Sequence, residues 1–123
     1  MKMKESAENY LEAILMIKKQ KGYARSIDVA NALHITKPSV SVAMKNFREE
    51  GYITVDSDGC ISLTEKGAKI AEGVYERHQV IAKALIFLGV DEETAYEDSC
   101  KIEHDISAQT FEKIKDFLKK HTE

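Results

Sequence analysis

The spacing of apolar residues changes once along this chain, and that change restricts the fold more than any other feature. Up to Gly51 the apolar side chains recur every three or four residues. Ala7, Tyr10, Leu11, Ile14 and Ile17 make one stripe, and Val40, Met44 and Phe47 another. Past Gly51 the period drops to two. Tyr52-Ile53-Thr54-Val55 and Cys60-Ile61-Ser62-Leu63 read as two strands, and Ser57-Asp58-Gly59 as the hairpin turn between them, with glycine supplying a positive φ. After Thr64 the helical period returns. Helices, one short hairpin and more helices describe a mainly α protein with a small β-hairpin wing.

The stop signals divide the helical stretches. The first helix is predicted over residues 5–21 and ends at Gly22. The second starts at Ser26 as N-cap and carries Ile27, Val29, Ala30 and Leu33. After the tight turn His34-Ile35-Thr36, Thr36 caps a third helix that tolerates Pro38 in its first turn and closes at Gly51. Two helices joined by so short a turn cross steeply and need a small residue at the crossing, which Ala30 supplies. Val29, Leu33, Ile35 and Val40 fill the core they share. His34 stands where such turns often have glycine, and histidine is among the residues that tolerate the left-handed region. Residues 1–66 therefore read as a winged helix-turn-helix domain. Beyond the wing, Thr64 caps a helix over about 65–88 with the stripe Ile70, Val74, His78, Ile81, Leu85 and Leu88. Gly89 stops it, Asp91 caps a helix over about 92–105, and Ser107 caps a last one with Phe111, Ile114, Phe117 and Leu118 on one side.

A winged helix-turn-helix suggests double-stranded DNA, and the charge has to be weighed against that. The net charge of the 123 residues is −3. Its distribution is uneven: residues 1–66 carry 10 Lys/Arg against 9 Asp/Glu, and residues 67–123 carry 8 against 12. The acidic surplus lies in the C-terminal half, and a near-neutral head can bind phosphate through local clusters. The third helix turns Lys37, Pro38, Ser39, Ser41, Val42 and Lys45 outward, with Arg25, Ser26 and Thr36 at the neighbouring helix starts. Hydroxyls and lysines suit phosphate oxygens, Arg25 and Lys37 best of all. Pro38 and Val42 suit thymine methyl groups. No outward Arg, Asn or Gln stands in the middle of that helix for bidentate base contact (Asn46 stands at its end), so readout by DNA shape takes a larger share. Taken singly these residues are an ordinary solvated face; the whole pattern favours DNA. The acidic wing tip, Asp56-Ser57-Asp58, adds little or repels phosphate.

Cys100, Glu103 and His104 stand at i, i+3 and i+4, neighbours on one face of a predicted helix. Thiolate, carboxylate and imidazole are three of the groups that bind a transition metal. An apolar stripe of Ala95, Ser99, Ile102 and Ile106 on the opposite face would leave the trio inside the protein. Two further partners suggest themselves: His78, which interrupts the apolar stripe of the fourth helix, and Asn9 with Glu12 on the first. Each has a plainer reading, as a hydrogen-bonded core histidine, a small buried cysteine or a solvated pair. Catalysis by Cys100 and His104 is disfavoured, because both share one helix and no glycine-rich oxyanion or phosphate loop accompanies them. Cys60 and Cys100 form no CxxC pair and no disulfide is expected. No apolar run approaches the ~20 residues of a membrane helix, and MKMKESAEN has no apolar signal core, so a cytoplasmic protein is expected.

AENYLEAI, GYARSIDVANAL, KPSVS, ISLTEKG, ERHQVIAKAL and SCKIEH, in this order and spacing, resemble the diphtheria toxin repressor and manganese transport regulator family of metal-dependent repressors, over about residues 5–121. The resemblance implies a winged-helix domain, a helical metal-binding and dimerisation domain over 67–123, a homodimer on a palindromic operator, and repression of metal-uptake genes. It also implies a ligand set of Asn9, Glu12, His78, Cys100, Glu103 and His104. Asn9 stands where manganese-type members have Asp and iron-type members Met. Cys100 is shared with iron-type members and some manganese-responsive ones, whereas the shorter regulators often have Glu. Ala82 and Tyr96 replace a Glu and a His of the second iron-type site. The implied ion is Fe(II) or Mn(II), with Zn(II), Co(II) or Ni(II) able to bind in vitro, and the thiolate tilts the set slightly toward Fe(II). A metal-independent winged-helix regulator with a degenerate site is the alternative, and Asn9 is what speaks for it.

Overall fold

The structure, a computed structural model, describes residues 5–122. They form α1 (Glu5–Lys21), α2 (Ser26–Leu33), α3 (Lys37–Glu49), β1 (Ile53–Val55), β2 (Ile61–Leu63), α4 (Glu65–Phe87), α5 (Glu92–Ile102) and α6 (Ala108–Thr122). The chain divides between Glu72 and Gly73 into two compact units. No helix among the described residues is long and apolar enough to cross a membrane.

In the N-terminal unit α1 keeps the predicted span, and Gly22 ends it at φ +87°. The start of α2 differs by one residue from the expectation. Arg25, not Ser26, is the N-cap, with extended φ −126° and ψ 163°. The cause lies three residues on. One Asp28 oxygen accepts the Arg25 amide at 3.0 Å, which is the reaching-back half of a capping box, while the other accepts the Lys21 ammonium at 2.7 Å. The turn after α2 takes its hand from His34, which adopts φ 56° and ψ 45°, as its place in the turn predicted. Thr36 then caps α3, its Oγ1 accepting the Ser39 amide at 3.3 Å.

β1 and β2 pair antiparallel in the register Ile53↔Leu63, Thr54↔Ser62, Val55↔Ile61. Each strand begins one residue later than expected. Tyr52 spends its backbone on the junctions, donating to the Phe47 carbonyl at 2.9 Å and accepting from Thr64 at 3.0 Å. The wing turn is organised by Asp56, whose Oδ1 accepts the amides of Asp58 and Cys60, each at 2.9 Å. At the start of α4 the Thr64 hydroxyl donates to the Gly51 carbonyl at 2.7 Å and accepts the Gly67 amide at 3.1 Å. Gly67 lies so close to the Tyr52 carbonyl oxygen that any Cβ there would overlap it.

Leu11, Ile14, Val29, Val40, Ile53 and Ile61 are fully buried and draw on every element of this unit from α1 to β2. At ~1.5–3 kcal/mol per buried aliphatic side chain they are its main stabilising term. The Ile61 amide donates to the Ala24 carbonyl at 2.7 Å, stitching the hairpin to the α1–α2 connection. The wing is thus part of the head's core and not a loose appendage.

In the C-terminal unit α4 stops at Phe87, one residue short of the expectation, and Gly89 turns the chain at φ +107°. Asp91 caps α5 by accepting the Thr94 amide at 3.1 Å, and Ser107 caps α6 by accepting the Thr110 amide at 3.1 Å. The larger correction concerns α5, which ends at Ile102 and not near 105. The Asp105 amide bonds to the Ile102 carbonyl at 3.0 Å, a three-residue closure that tightens the chain out of the helix. Glu103 keeps right-handed helical angles, φ −59° and ψ −27°, so the i, i+3 relation to Cys100 survives the helix end. Within α6, Phe111 and Leu118 are buried whereas Phe117 is exposed.

The Asp28 contacts give a pH prediction. Its hydrogen bond with Lys21 comes first, followed by that with the Arg25 amide, and together they hold its pKa below the ordinary carboxylate value. A depressed pKa stabilises the fold above the unfolded value of about 3.9, and that contribution disappears as pH falls through the folded value. Asp28→Asn is therefore expected to cost about 0.2–1 kcal/mol in urea unfolding at pH 7. The difference from the parent should shrink below about pH 4; a gap independent of pH would remove the carboxylate from this role.

Candidate metal centre and nucleic-acid interface

α4 and the end of α5 bring His78, Cys100 and Glu103 together. One ligand atom from each lies within 4.8 Å of the other two. His78 is half-buried on α4, Cys100 is exposed near the end of α5, and Glu103, just past that end, is only 3% exposed. The trio expected from spacing, Cys100, Glu103 and His104, is thus rearranged. His78 joins Cys100 and Glu103, while His104, also buried, sets its Nε2 3.4 Å from Glu103 Oε1. The expectation that all three lie inside fails for Cys100, because α5 turns that position outward before the chain tightens into the buried turn.

His78 is oriented by a backbone group. Its Nε2 lies 3.1 Å from the Tyr96 carbonyl oxygen. A carbonyl can only accept, so Nε2 carries the hydrogen and Nδ1 presents its lone pair. Nδ1 faces the Cys100 sulfur at 4.0 Å. The same carbonyl also accepts the hydroxyl of fully buried Ser99 at 2.9 Å. A histidine whose second nitrogen is fixed in this way is the usual arrangement around a bound metal. The Tyr96 ring packs beside the imidazole at 5.8 Å, and its hydroxyl donates to Gln79 at 3.2 Å.

The donor set fits a divalent ion. Metal–ligand distances of ~2.0–2.3 Å place two donors of one ion up to about 4.6 Å apart; the 4.0 Å separation of Nδ1 and Sγ meets that limit, and the 4.8 Å bound on the whole cluster lies just above it. Imidazole, thiolate and carboxylate together suit Fe(II), Co(II), Ni(II) or Zn(II), and Mn(II) less well. Asn9 and Glu12 belong to the other unit, one turn apart on α1; Glu12 is buried and Asn9 half-buried. Sequence reasoning did not identify the Tyr96 carbonyl, because a main-chain acceptor leaves no mark in residue type.

In the N-terminal unit Thr36, Lys37, Pro38, Ser39, Ser41, Val42 and Lys45 are all exposed around α3, as is Arg25, while Ser26 is half-buried. Val42 is 61% exposed, an apolar side chain held out in water on the face expected to read DNA. Tyr23, which spacing did not single out, has two cations near its ring: the Lys21 ammonium sits 4.9 Å and the Arg25 guanidinium 5.6 Å from its centre. Arg25 also touches Cys60, a contact that leads the causes raising its pKa above the ordinary arginine value, and like any guanidinium it is a cation at neutral pH.

A third surface is apolar. Leu88 is 73% exposed, Phe87 and Phe117 about half, and the two phenyl rings meet edge to face at 6.0 Å. They adjoin a groove of about 510 Å³ in the C-terminal unit, lined by Ile81, Leu85, Leu88, Ile102, Ile114 and Phe117 among others.

Two family models match the chain: the N-terminal DNA binding domain of the iron dependent repressors over residues 2–60, and their metal binding and dimerisation domain over residues 64–123. The chain is 34% identical over 113 residues to the HTH-type transcriptional regulator MntR of Lysinibacillus sphaericus, covering 92% of this chain and 81% of that protein. It is 37% identical over 120 residues to an uncharacterized HTH-type transcriptional regulator of Methanocaldococcus jannaschii, covering 96% of each. Among solved structures, the metal-dependent transcriptional regulator MtsR superposes with a TM-score of 0.84 at 26% identity, over 95% of this chain and 55% of that one. This chain thus spans about half of MtsR.

Cobalt gives a direct test of the donor set. Co(II) added anoxically is expected to produce a thiolate-to-metal charge-transfer band in the near ultraviolet. Cys100→Ala should abolish the band and weaken Co(II) binding at least about tenfold, while Cys60→Ala leaves both unchanged. A band that survives in Cys100→Ala removes Cys100 from the ligands.

Proposed function

The chain belongs to the iron-dependent repressor family, and from that footing we propose that it is a cytoplasmic, metal-dependent transcriptional repressor that binds a palindromic operator as a homodimer and controls metal-uptake genes. The observation that carries this reading is the His78, Cys100 and Glu103 cluster in a chain that also exposes the α3 face. His104 belongs beside these three, and Asn9 and Glu12 are the donors assigned to α1. The physiological ion is Fe(II) or Mn(II). The chain acts by binding, and we assign it no catalytic role.

When bound, the ion supplies positive charge and a fixed coordination geometry. The protein's own groups do the rest. In the ligand set we propose, Glu12 and Glu103 supply carboxylates, and Cys100 supplies a thiol that gives up its proton when a cation binds. The Tyr96 carbonyl holds His78 in the tautomer that turns Nδ1 toward Cys100. The apolar surface of Leu88, Phe87 and Phe117 joins two copies, so that paired α3 helices can enter successive major grooves ~34 Å apart. Lys37 and Arg25 grip phosphate, and Val42 and Pro38 meet thymine methyl groups. Ion and operator then favour the same state of the protein, and each raises the affinity of the other by the same factor.

The decisive experiment follows binding to a duplex drawn from a random pool, selected both with and without metal. Anoxic Fe(II) or Mn(II) is expected to raise affinity for it by about 5- to 150-fold. Affinity indifferent to every divalent ion would favour the metal-independent reading, for which the neutral amide of Asn9 speaks. The dimer surface has its own test. Leu88→Glu should sediment as a monomer and lose operator binding while unfolding like the parent, and a variant that remains dimeric would move the interface elsewhere.

A further inference from the structure

Arg77 immediately precedes His78 on α4, and nothing in its sequence position links it to the ligands. Its Nη2 donates to the Ile106 carbonyl at 3.0 Å. Its guanidinium carbon lies 5.3 Å from the ring centre of Phe111, a buried residue in the first turn of α6. Its Nε is buried and meets no hydrogen-bond partner among the described residues. A guanidinium so placed is a poor way to stabilise a helix pair, since a buried N–H without a partner opposes folding and an apolar residue would pack the gap better. Buried polar groups left unsatisfied in this way tend to mark positions kept for function.

The side chain ties down the segment between α5 and α6. Glu103 and His104 stand beyond the end of α5, held by the bonds from the Glu103 amide to Ser99 and from the Asp105 amide to Ile102, each at 3.0 Å. Past those bonds the Arg77 contact fixes the far end of the turn to α4, one residue from His78. We propose that Arg77 is a positioning residue of the metal centre, holding the turn so that the Glu103 carboxylate meets the donors of α4 and α5. The proposal rests on the metal-binding reading above and extends it to a residue that touches no ion.

The test titrates Co(II) anoxically into the parent, Arg77→Met and Arg77→Lys, reading affinity, the thiolate charge-transfer band and the visible ligand-field bands. A parent without a charge-transfer band would defeat the metal reading itself, independently of Arg77. Given a band in the parent, Arg77→Met is expected to bind Co(II) about 10- to 100-fold more weakly. Its ligand-field bands should shift while the charge-transfer band persists, because Cys100 remains in place and Glu103 does not; a general loss of structure would remove both. Lysine, which can still donate to the Ile106 carbonyl, should restore affinity and spectrum. If Arg77→Met does not fold, Arg77→Gln, too short to reach that carbonyl, carries the same expectation. Parent-like binding in the Met or Gln variant overturns the proposal. Weakening in Arg77→Lys equal to that in Arg77→Met overturns it too, because the carbonyl bond would then not be what matters.

Discussion

Keeping a carboxylate out of water costs free energy that its neighbours must offset. Glu103 is buried to 3% exposure, with His104 Nε2 3.4 Å from one of its oxygens and a thiol and an imidazole also close by. A protein folded for stability alone would place an apolar residue at that point. The fold instead devotes secondary structure to the cluster: α5 stops at Ile102, a three-residue closure turns the chain, and Ser107 restarts it as α6. The Tyr96 carbonyl, accepting from both Ser99 and His78, then sets which imidazole nitrogen faces the sulfur. A divalent cation stabilises such a group of donors best, and the function proposed here follows from it.

Much of this was legible in the sequence because the stop and start signals are strong. The change of period at Gly51 marks the wing, His34 sits in the left-handed conformation its turn demands, and Thr36, Asp91 and Ser107 all cap the helices they precede. What escaped has two physical sources. Periodicity cannot tell a helix from a right-handed turn that continues its angles, so Glu103 looked like part of α5. Main-chain partners leave no trace in residue identity, so neither the Tyr96 carbonyl at His78 nor the Ile106 carbonyl at Arg77 could be foreseen. The misplaced cap of α2 belongs to the same class. Ser26 is the better N-cap by residue type, but Asp28 binds the amide of Arg25 and moves the helix start to suit.

The head and the metal-binding unit divide the electrostatic work unevenly. Residues 1–66 are almost neutral and residues 67–123 carry the acidic surplus. A near-neutral head gains little affinity from counterion release. The wing tip keeps Asp56 for its own turn, where one oxygen accepts two amides, and exposes Asp58 beside it. Replacing Asp56 would cost the hairpin its turn, so the acidic character of the tip has a structural cause. With weak phosphate attraction, binding depends more on presenting two heads at a defined separation than on the strength of either alone.

That dependence gives Asn9 its meaning within the proposed ligand set. In that proposed set an aspartate in its place would add a negative charge to those of Glu12 and Glu103, and with it more repulsion for a cation to relieve. A neutral amide lowers both the repulsion without an ion and the attraction once one is bound. The thiolate of Cys100 offsets the second loss for ions that accept sulfur, but does little for Mn(II), which prefers oxygen. If both are ligands, as proposed, Asn9 and Cys100 act in the same direction, exchanging charge for softness. A ligand set of this kind discriminates among ions by the type of bond each forms, and the softest donor in it, Cys100, is exposed.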